Sequence, residues 1–569
     1  MTDSTHGVFG IDLGTTYSVV ASVDDSGRPS VVPNAYGEDI TASVVYFESD
    51  SNVVVGDVAK QSAVISPDSV ISLVKRHMGN ANYSQTFFDK AYTAPAISAL
   101  ILQALTLGIP GEGHEKGKFV VTVPAYFGML EKEATRQAGE IAGLDIVGIV
   151  PEPVAAALAY GLGGDADGKT VLVFDLGGGT FDVTIMRIGP SKIEVLAVGG
   201  DADLGGANWD EVLFKHLVTE VISQVGDDSI RDDDQAMQHI WDVTEKTKKD
   251  LSQAESRTLV LREGGAVAKI SVSRADFEQM TAHLLQQTID ITRRTLDEAE
   301  ALYPGVATEI SDVLLVGGSC KMPAVSEAVK GAFDWPAKLA DPDLAVAKGA
   351  ALFAAGKLVQ EIVPTPAPGA TAPGETAPNP EPISAEDLTP QQEALIRNMT
   401  GLDAEAAASL GSRTVVNVLP KAVGVKLIDE TVPQWNQLDE PPTYVEHLVS
   451  AQTQLPHNPA DPFRAATSVA DQDTIRIEIW EQAGAVAGRA MDQNHFLKAG
   501  ELSNMRAFSL PAGTPIGIDF NVDAEGLVQV TATELRSGRI LEVEAKVQLL
   551  SDEQVEEAKS NISGLTASI

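Results

Sequence analysis

Two segments of the same design restrict the fold of this chain more than any other feature. They are residues 8–20 and 171–185, and each reads as an apolar strand, Asp-Leu-Gly, a hydroxyl residue and a second apolar strand. Glycine turns of this kind expose backbone N–H groups that can hold phosphate, and a carboxylate at a strand end can hold hydrated Mg²⁺. Either segment alone also fits an ordinary hairpin between buried strands. Together they predict two similar half-domains that face a shared nucleotide.

The composition is that of an ordered chain with several domains. At 569 residues it exceeds a single hydrophobic core, so roughly two to four domains are expected. The net charge of −39 argues against nucleic-acid binding and against an anionic membrane surface. The single cysteine, Cys320, fits a reducing compartment, and neither a secretory signal nor an apolar stretch of membrane-spanning length is visible. These features predict a cytoplasmic protein with no nucleic-acid or membrane partner.

Changes in hydrophobic periodicity divide the chain into four parts. Residues 1–358 alternate strands and helices, which predicts an α/β nucleotide-binding domain. Residues 359–411 begin as a Pro/Ala-rich linker and then allow short helices, one of them capped at Thr389. Period-two alternation over 412–550 predicts an antiparallel β-sandwich. Residues 551–569 predict a short helix.

One motif match is rejected because of its context. Residues 163–170 read GGDADGKT and match the P-loop pattern GxxxxGK[ST] letter for letter. A P-loop follows a strand and opens a helix, so that the helix N-terminus meets the phosphates. This segment instead follows a predicted helix at 154–161 and precedes a predicted strand. We interpret it as a surface turn.

The motifs taken together resemble those of the heat-shock 70 (DnaK-type) chaperone family. The segments that agree with the sequence motifs of that family are 10–16, 123–127, 152–153, 155–161 and 175–182. A weaker match covers the predicted sandwich, through Leu455, Pro456, Phe463 and residues 522–530. The resemblance implies an actin-like (ribonuclease-H-like) ATPase fold of two lobes, with ATP between them.

The resemblance also implies a role for each residue of the nucleotide site. Asp12 and Asp175 would hold hydrated Mg²⁺, while Lys75 would lie beside the γ-phosphate. Glu152 would orient the attacking water, and Thr180 would hydrogen-bond near the γ-phosphate. Such roles suit phosphoryl transfer, which depends on positioning and charge neutralisation. The implied cofactors are ATP or ADP and Mg²⁺, with K⁺ as a further candidate. The other nucleotide-binding positions would be Gly14, Thr15, Thr16, Gly177, Gly178, Gly179, Glu245, Lys248, Lys249, Ser252, Gly317, Gly318, Ser319, Lys321 and Asp343.

In the predicted sandwich, six positions align with the family's peptide groove. The implied partners are unfolded or extended peptide segments, with a J-domain cochaperone and a nucleotide-exchange factor as further candidates. The alternative reading is that these positions are ordinary core residues of a sandwich. The six are Val425, Ile428, Phe463, Ala466, Ile475 and Ile477.

Several positions depart from the family's pattern. The adenine-stacking position is Lys321, which lacks a flat guanidinium and is expected to lower nucleotide affinity. Lys132 and Gly148 replace arginines that couple the ATPase lobe to its linker and J-domain partner. The linker aligns with 413–417, after an insertion, and polar residues replace apolar ones there. Because linker docking makes peptide binding ATP-dependent in the family, this departure puts the coupling of the two domains in question.

The sequence therefore favours one function and leaves another open. The favoured function is an ATP-dependent chaperone that hydrolyses ATP to ADP and phosphate and binds unfolded segments. An inserted loop at 429–444 and a lid reduced to 551–565 predict a reshaped groove and fast peptide release. The alternative is an ATP-gated scaffold or regulator with one dedicated partner. A small-molecule kinase of the same fold is disfavoured, because no kinase needs the β-domain.

Overall fold

The structure is a computed structural model, and it describes residues 7–109, 117–161, 168–263, 266–364, 382–468, 475–502, 511–535, 539–541 and 547–569. The predicted flexible linker, at 363–382, lies almost entirely outside the described residues, as does most of the GGDADGKT turn. Among the described helices, none combines the length and the apolar character that a membrane crossing requires.

Strands and helices alternate through the region that ends at residue 362. In chain order they are β1 (Val8–Asp12), β2 (Tyr17–Val23), β3 (Pro29–Val32), β4 (Thr41–Ala42), β5 (Val45–Phe47), β6 (Asn52–Val55), α1 (Asp57–Ser62), β7 (Val70–Ile71), β8 (Ser84–Phe87), β9 (Lys90–Thr93), α2 (Ala94–Thr106), β10 (Lys118–Val123), α3 (Met129–Ile141), β11 (Asp145–Pro151), α4 (Glu152–Tyr160), β12 (Lys169–Leu176), β13 (Phe181–Ile188), β14 (Lys192–Asp201), α5 (Gly206–Val225), α6 (Asp234–Leu251), β15 (Ser256–Glu263), β16 (Ala266–Ser273), α7 (Arg274–Leu302), α8 (Val306–Glu309), β17 (Ile310–Val316), α9 (Pro323–Phe333), β18 (Ala337–Leu339) and α10 (Ala345–Ile362).

Two six-stranded sheets form the framework of this region and repeat one topology. The first has the order β11-β10-β1-β2-β3, with β4 attached to β2. The second has the order β18-β17-β12-β13-β14 and ends in β19 (Thr414–Val416). In each sheet an antiparallel three-strand meander, β1-β2-β3 or β12-β13-β14, adds parallel strands beside its first strand. The repeat confirms the prediction of two similar half-domains.

Small residues on α4 and α10 let the two sheets approach each other. Val8 of the first sheet and Val173 of the second are buried in one apolar cluster with both helices. Gly349 on α10 lies so close to α4 that a Cβ would be 1.7 Å from the carbonyl oxygen of Ala155. This packing leaves the carboxyl ends of β1 and β12 at one cleft, where Asp12 and Asp175 both line its wall.

The segment before β19 forms two helices on the outside of α10. They are α11 (Pro390–Thr400) and α12 (Ala404–Gly411), and each begins with a side-chain cap, from Thr389 and Asp403. Ile396 and Leu410 are buried in the cluster around α10. These helices therefore pack against the region that ends at residue 362, which we call the ATPase region after its predicted function.

The altered linker docks on the ATPase region despite its polar residues. Strand β19 pairs in parallel with β14, and Thr414 and Val416 are buried there. The polar residues Arg413 and Asn417 flank the strand. Gln360 fixes the approach to it by donating to the carbonyl oxygens of Gly411 and Arg413 at 3.0 and 2.9 Å. The linker strand is therefore docked in this structure, because backbone pairing tolerates a buried threonine.

Two four-stranded antiparallel sheets follow the linker. Their orders are β21-β20-β23-β24 and β22-β25-β26-β27. One apolar cluster lies between their inward faces and includes Ile516, Ile518 and Phe520, which alternate along one strand. The strands are β20 (Val423–Ile428), β21 (Thr443–Val449), β22 (Phe463–Ala466), β23 (Ile475–Gln482), β24 (Asn494–Leu502), β25 (Pro515–Val522), β26 (Val528–Glu534) and β27 (Arg539–Leu541).

Polar contacts attach this β-domain to the ATPase region. The side chain of Gln452 donates to the carbonyl oxygen of Val198 at 2.7 Å and accepts from its N–H at 3.0 Å, which imitates strand pairing. Glu525 accepts from Arg136 on α3 and from Lys357 on α10, both at 2.5 Å. Both contacts reach residues of the nucleotide-binding framework, so the β-domain is docked in this structure.

The two departures from the family's coupling residues lie at the same interface. Lys132 is half-buried, and desolvation of its ammonium group lowers its pKa. Its Nζ donates to the carbonyl oxygen of Glu525 at 3.4 Å. Gly148 lies beside Lys357, whose Nζ would be 3.0 Å from a Cβ at that position. Lys357 thus occupies space that a longer side chain at position 148 would need.

Glu481 is a buried carboxylate of this interface. Its Oε1 accepts from the N–H of Met129 at 3.1 Å, at the N-terminus of α3, where an acceptor is favoured. The charged groups that face it are Lys421, Glu131 and Lys132. Burial raises the pKa of Glu481 to about 7, although Lys421 acts in the opposite direction.

We expect Glu481 to make folding stability depend on pH. Its pKa in the folded protein lies above the unfolded value of 4.5, so folding favours the protonated form. The stabilising contribution is complete below pH 4.5 and is lost as the pH rises to about 7. Glu481→Gln keeps an acceptor oxygen and removes the titration. Urea unfolding at about pH 5.5 and about pH 8 should therefore differ less for the variant than for the wild type. An equal pH dependence in both proteins would contradict this assignment.

The last described segment, residues 547–569, returns to the ATPase region, and we call it the strap. It contains α13 (Asp552–Ser563) and β28 (Thr566–Ser568), which pairs in parallel with β6. Val555 and Ile562 are buried in the apolar cluster that includes α2 and α3. The side chain of Gln137 accepts from the N–H of Leu550 and donates to its carbonyl oxygen, at 3.1 and 2.8 Å. The predicted helix is present, and it packs against the first half of the ATPase region.

Candidate nucleotide site

A cavity of about 690 Å³ lies between the two sheets. Its wall is built from the turns after β1, β12 and β17, together with residues of α6 and the segment before β8. Gly179 belongs to the turn after β12 and lies directly behind this wall. The predicted nucleotide-site residues that line the cavity are Asp12, Gly14, Thr15, Thr16, Lys75, Glu152, Asp175, Gly177, Gly178, Thr180, Glu245, Lys248, Lys249, Ser252, Gly317, Gly318, Ser319, Lys321 and Asp343.

The turns after β1 and β12 are in direct contact, and this contact requires glycine. A Cβ on Gly178 would lie 2.3 Å from Oγ1 of Thr16, and one on Gly179 would lie 2.4 Å from Cγ2 of Thr15. Any side chain at these two positions would push the turns apart. Glycine therefore lets both halves contribute backbone groups to one space, as a phosphate cradle requires.

The turn after β17 is attached to the turn after β12. Gly317 has a φ of +83°, and a Cβ there would lie 2.4 Å from the carbonyl oxygen of Leu176. Ser319 Oγ donates to the carbonyl oxygen of Gly177 at 2.8 Å. Cys320 follows and is buried, which raises the pKa of its thiol. The thiol is therefore protonated and unreactive at neutral pH.

Two predicted catalytic residues form a buried ion pair. Lys75 Nζ donates to Glu152 Oε1 at 2.6 Å, and both side chains are almost fully buried. Lys75 belongs to a single 3₁₀ turn, Val74–His77, whereas Glu152 is the first residue of α4 and directly follows β11. The ion pair holds the ammonium and the carboxylate at fixed positions in the cavity wall.

Acidic side chains are concentrated on the same wall. Burial and the charge of Glu152 raise the pKa of Asp12 to about 7 and that of Asp182 to about 8. Burial and the same neighbour also raise the pKa of Asp175 well above its usual range. Thr122 donates to Asp12 at 3.0 Å. An added cation would relieve this crowding of carboxylates, which suits Mg²⁺.

The arrangement fits an ion held through water. Among the residues that the structure describes, no group of three or more His, Cys, Asp or Glu side chains is placed to ligate a metal directly. Mg²⁺ characteristically keeps several waters and is bound by one or two carboxylates plus phosphate oxygens. The water-mediated role of Asp12 and Asp175, which the resemblance implies, stays a prediction.

A cluster of charged residues closes the other end of the cavity. Glu245 pairs with Lys60 at 2.5 Å and with Lys249 at 2.7 Å. Although burial favours its neutral form, the two ammonium groups lower the pKa of Glu245 to about 2. Tyr17 accepts from the same two lysines, at 3.1 and 2.9 Å. Lys60 and Tyr17 come from the first half of the region, so this cluster also joins the two halves.

Two further predicted lysines are also paired. Lys248 binds Asp210 at 2.5 Å and the carbonyl oxygen of Gly206 at 2.9 Å. Lys321 pairs with Asp343. The basic patch on α6 is thus largely neutralised by carboxylates of the same wall, and Lys321 is held by its partner at the cavity edge.

Sequence reasoning missed several residues of this site. No role is predicted from the sequence for Lys60, Asp182, Tyr17 or Arg76. Tyr17 and Arg76 directly follow Thr16 and Lys75, which do have predicted roles. A signal existed for three of them, because Asp182, Tyr17 and Arg76 lie within or beside the quoted motifs. Lys60 lies on α1 with no motif around it, and only the tertiary structure brings it to Glu245.

Two sheets of repeated topology with a cleft of glycine turns between them define the class of actin-like nucleotide-binding proteins. The model of the family described as Hsp70 protein matches residues 8–362 of this chain. Because this match spans more than half of the chain, the protein belongs to the Hsp70 family. Proteins of this family are chaperones with an actin-like ATPase domain that binds nucleotide with Mg²⁺.

The predicted peptide-groove residues differ in burial and in their position along the strands of the β-domain. Val425 and Ile477 are buried in the apolar cluster between the sheets, and Phe463 packs against it. Ile428 is half-buried and Ala466 is exposed, each at the end of its strand. Ile475 begins β23, but its side chain and the preceding residues 469–474 lie outside the described part of the chain. The groove therefore stays a prediction.

Proposed function

We propose that this protein is a Mg²⁺-dependent ATPase whose β-domain binds unfolded polypeptide segments. The observation that carries the proposal is the cavity between the two halves. It collects the predicted phosphate turns of both halves and contains the Lys75–Glu152 ion pair. Residues 1–358 would form the nucleotide-binding domain and 412–550 the peptide-binding β-sandwich, with 359–411 between them. Residues 551–569 would be the remnant of a lid, and a cytoplasmic location stays a prediction.

The proposed mechanism assigns one task to each group of residues. Backbone N–H groups of the turns after β1 and β12 would bind the phosphates, and Thr180 would hydrogen-bond near the terminal phosphate. Bound Mg²⁺ would neutralise phosphate charge beside Asp12 and Asp175. Glu152, fixed by Lys75, would orient the water that attacks the γ-phosphorus. The water oxygen would bond to the γ-phosphorus as the bond between that phosphorus and the bridging oxygen breaks. The proton released by the water would pass to phosphate or to solvent, and ADP and phosphate would leave.

Steady-state ATP hydrolysis tests this proposal directly. The purified chain should be assayed with Mg²⁺, with and without a short apolar peptide or an unfolded protein. Hydrolysis that the peptide stimulates would support a chaperone with coupled domains. A rate of hydrolysis no higher than that of a protein-free control would contradict the ATPase assignment.

A second candidate is favoured by the docked β-domain. Strand β19 and the contacts of Gln452 and Glu525 fasten this domain to the ATPase region. A β-domain that stays docked would suit an ATP-gated scaffold with one dedicated partner. Hydrolysis that is indifferent to every peptide tested would favour this candidate.

Ile475→Asp is expected to abolish peptide binding, because it places a charge at a position predicted to line the groove. The ATPase region should remain folded. Fluorescence anisotropy of a labelled apolar peptide measures the affinity, and ADP binding by the same sample shows that the nucleotide site is intact. Arg464→Asp, at an exposed position on β22, is the matched control. An unchanged peptide affinity of Ile475→Asp would show that position 475 does not line the peptide-binding groove.

A further inference from the structure

Arg76 directly follows Lys75, and its side chain reaches from the first half of the nucleotide site to the second. Its Nε and Nη2 donate to the carbonyl oxygen of Gly179 at 3.2 and 3.0 Å. Nη2 also donates to Oδ1 of Asn208 at 2.7 Å and to the carbonyl oxygen of Asp203 at 3.3 Å. All three acceptors are neutral oxygens. Burial lowers the pKa of Arg76, while the nearby carboxylates of Asp203, Glu211 and Asp201 act in the opposite direction. Arg76 thereby contacts the turn after β12 and the start of α5 together.

The contact with Gly179 fixes the peptide group that precedes Thr180, a residue of the cavity lining. The carbonyl of Gly179 and the N–H of Thr180 belong to the same peptide unit, and in a trans peptide they point in opposite directions. Because Arg76 holds the oxygen, the N–H of Thr180 is directed away from Arg76, and Thr180 lines the cavity. A cation on the carbonyl also polarises the peptide and strengthens its N–H as a donor. Arg76 therefore orients and polarises the peptide group that precedes Thr180, to which the proposed function gives a place near the terminal phosphate.

Asn208 joins the same contact to α5. Its Oδ1 also accepts from the N–H of Gly205 at 2.9 Å, at the start of that helix. A Cβ on Gly205 would lie 2.5 Å from the carbonyl carbon of Gly179, so the helix start and the turn touch. Loss of Arg76 would remove a donor from both elements at once.

The segment that carries Arg76 is itself firmly held. Lys75 is bound to Glu152 at 2.6 Å, and the ring of His77 stacks on Tyr83 at 4.0 Å. Arg76 lies between these two anchors in one 3₁₀ turn. A shift of the turn after β12 relative to Arg76 would therefore also be a shift relative to the Lys75 ammonium.

We propose that Arg76 is a positioning residue that holds the Lys75 segment in register with the phosphate turn, and that it slows nucleotide release as well as supporting hydrolysis. The inference rests on the proposed function. The Arg76 contacts join the two halves of the cavity, so separation of the halves must break them. A nucleotide that leaves through the opened cleft leaves only after these hydrogen bonds are lost.

The test compares single-turnover ATP hydrolysis with the dissociation of a fluorescent ADP analogue. We expect Arg76→Ala to slow hydrolysis about ten-fold and to speed dissociation by about the same factor, since the charge-assisted hydrogen bonds to Gly179, Asn208 and Asp203 are lost. Arg76→Lys keeps the charge without the planar fork and should give an intermediate result. Asn208→Ala should speed dissociation less. Arg293→Ala, an exposed arginine on α7, should change neither rate.

A double-mutant cycle separates positioning from general damage. The effects of Arg76→Ala and Asn208→Ala on dissociation should be less than additive, because both remove one shared contact. Additive effects, or unchanged dissociation in Arg76→Ala, would overturn the inference. So would a fall in melting temperature of the nucleotide-free Arg76→Lys protein with no change in either rate. ADP dissociation needs no hydrolysis, so the inference can fail while the ATPase proposal stands, and the reverse also holds.

Discussion

Asp175→Asn is expected to lower the rate of ATP hydrolysis about ten-fold or more. The carboxylate lies near the end of β12, is almost fully buried and lines the cavity opposite the turn after β1. Its pKa is raised by burial and by neighbouring carboxylates, and the amide would remove the negative charge that favours a bound cation. The variant should therefore lose Mg²⁺ positioning while its fold is kept. Single-turnover hydrolysis over a range of Mg²⁺ concentrations measures this loss.

Two controls make this result specific. Asp297→Asn changes an exposed carboxylate on α7 and should leave hydrolysis unchanged. Thermal unfolding of Asp175→Asn without ligands should show a fold at least as stable as the wild type near neutral pH, because burial already disfavours the charged form. Unchanged turnover in a folded Asp175→Asn protein would remove this residue from the catalytic site.

Ile562→Asp in the strap is expected to destabilise the ATPase region by about 2–5 kcal/mol. Ile562 is 2% exposed and belongs to the apolar cluster of α2 and α3, so the substitution would bury an unpaired carboxylate. Urea unfolding followed by tryptophan fluorescence gives the free energy of unfolding. Ser560→Asp, at an exposed position of the same helix, is the matched control and should change it little.

The same variant distinguishes two roles for residues 551–569. A remnant of a lid would act on the β-domain, and Ile562→Asp would then change peptide dissociation and leave unfolding of the ATPase region unaltered. The structure pairs β28 with β6 and packs α13 on the first half of the ATPase region. We therefore expect Ile562→Asp to lower the free energy of unfolding of the ATPase region. An unchanged free energy of unfolding would contradict the stabilising role that we give to these contacts.

The lining of the cavity could be predicted in large part because many of its residues follow one another along short motifs. The strand, carboxylate and glycine turn of residues 171–185 form β12, the turn and β13 as expected. Glycine is required there for contacts that any side chain would block, as Gly178 and Gly179 show. Local sequence therefore specifies local geometry, and the repeat at 8–20 predicts the second half.

Contacts between distant segments could not be predicted in this way. The polar residues of the linker put the coupling of the two domains in question. Only the tertiary structure shows that β19 extends the second sheet through backbone pairing with β14. Arg76 and Lys60 contact partners more than a hundred residues away in the sequence, and no local sequence pattern predicts these contacts. Such pairs depend on how whole elements pack.

The sequence by itself determined the family, the two phosphate turns, the acidic residues beside them and the alternation of the β-domain strands. Each of these is a local pattern, because glycine, aspartate and alternating apolar residues limit what a short segment can form. The tertiary structure alone decided that the linker strand docks, that the strap returns to the first half, and that Arg76 and Glu481 join separate parts of the chain. Those features depend on burial and pairing between segments, which are set only when the complete chain packs.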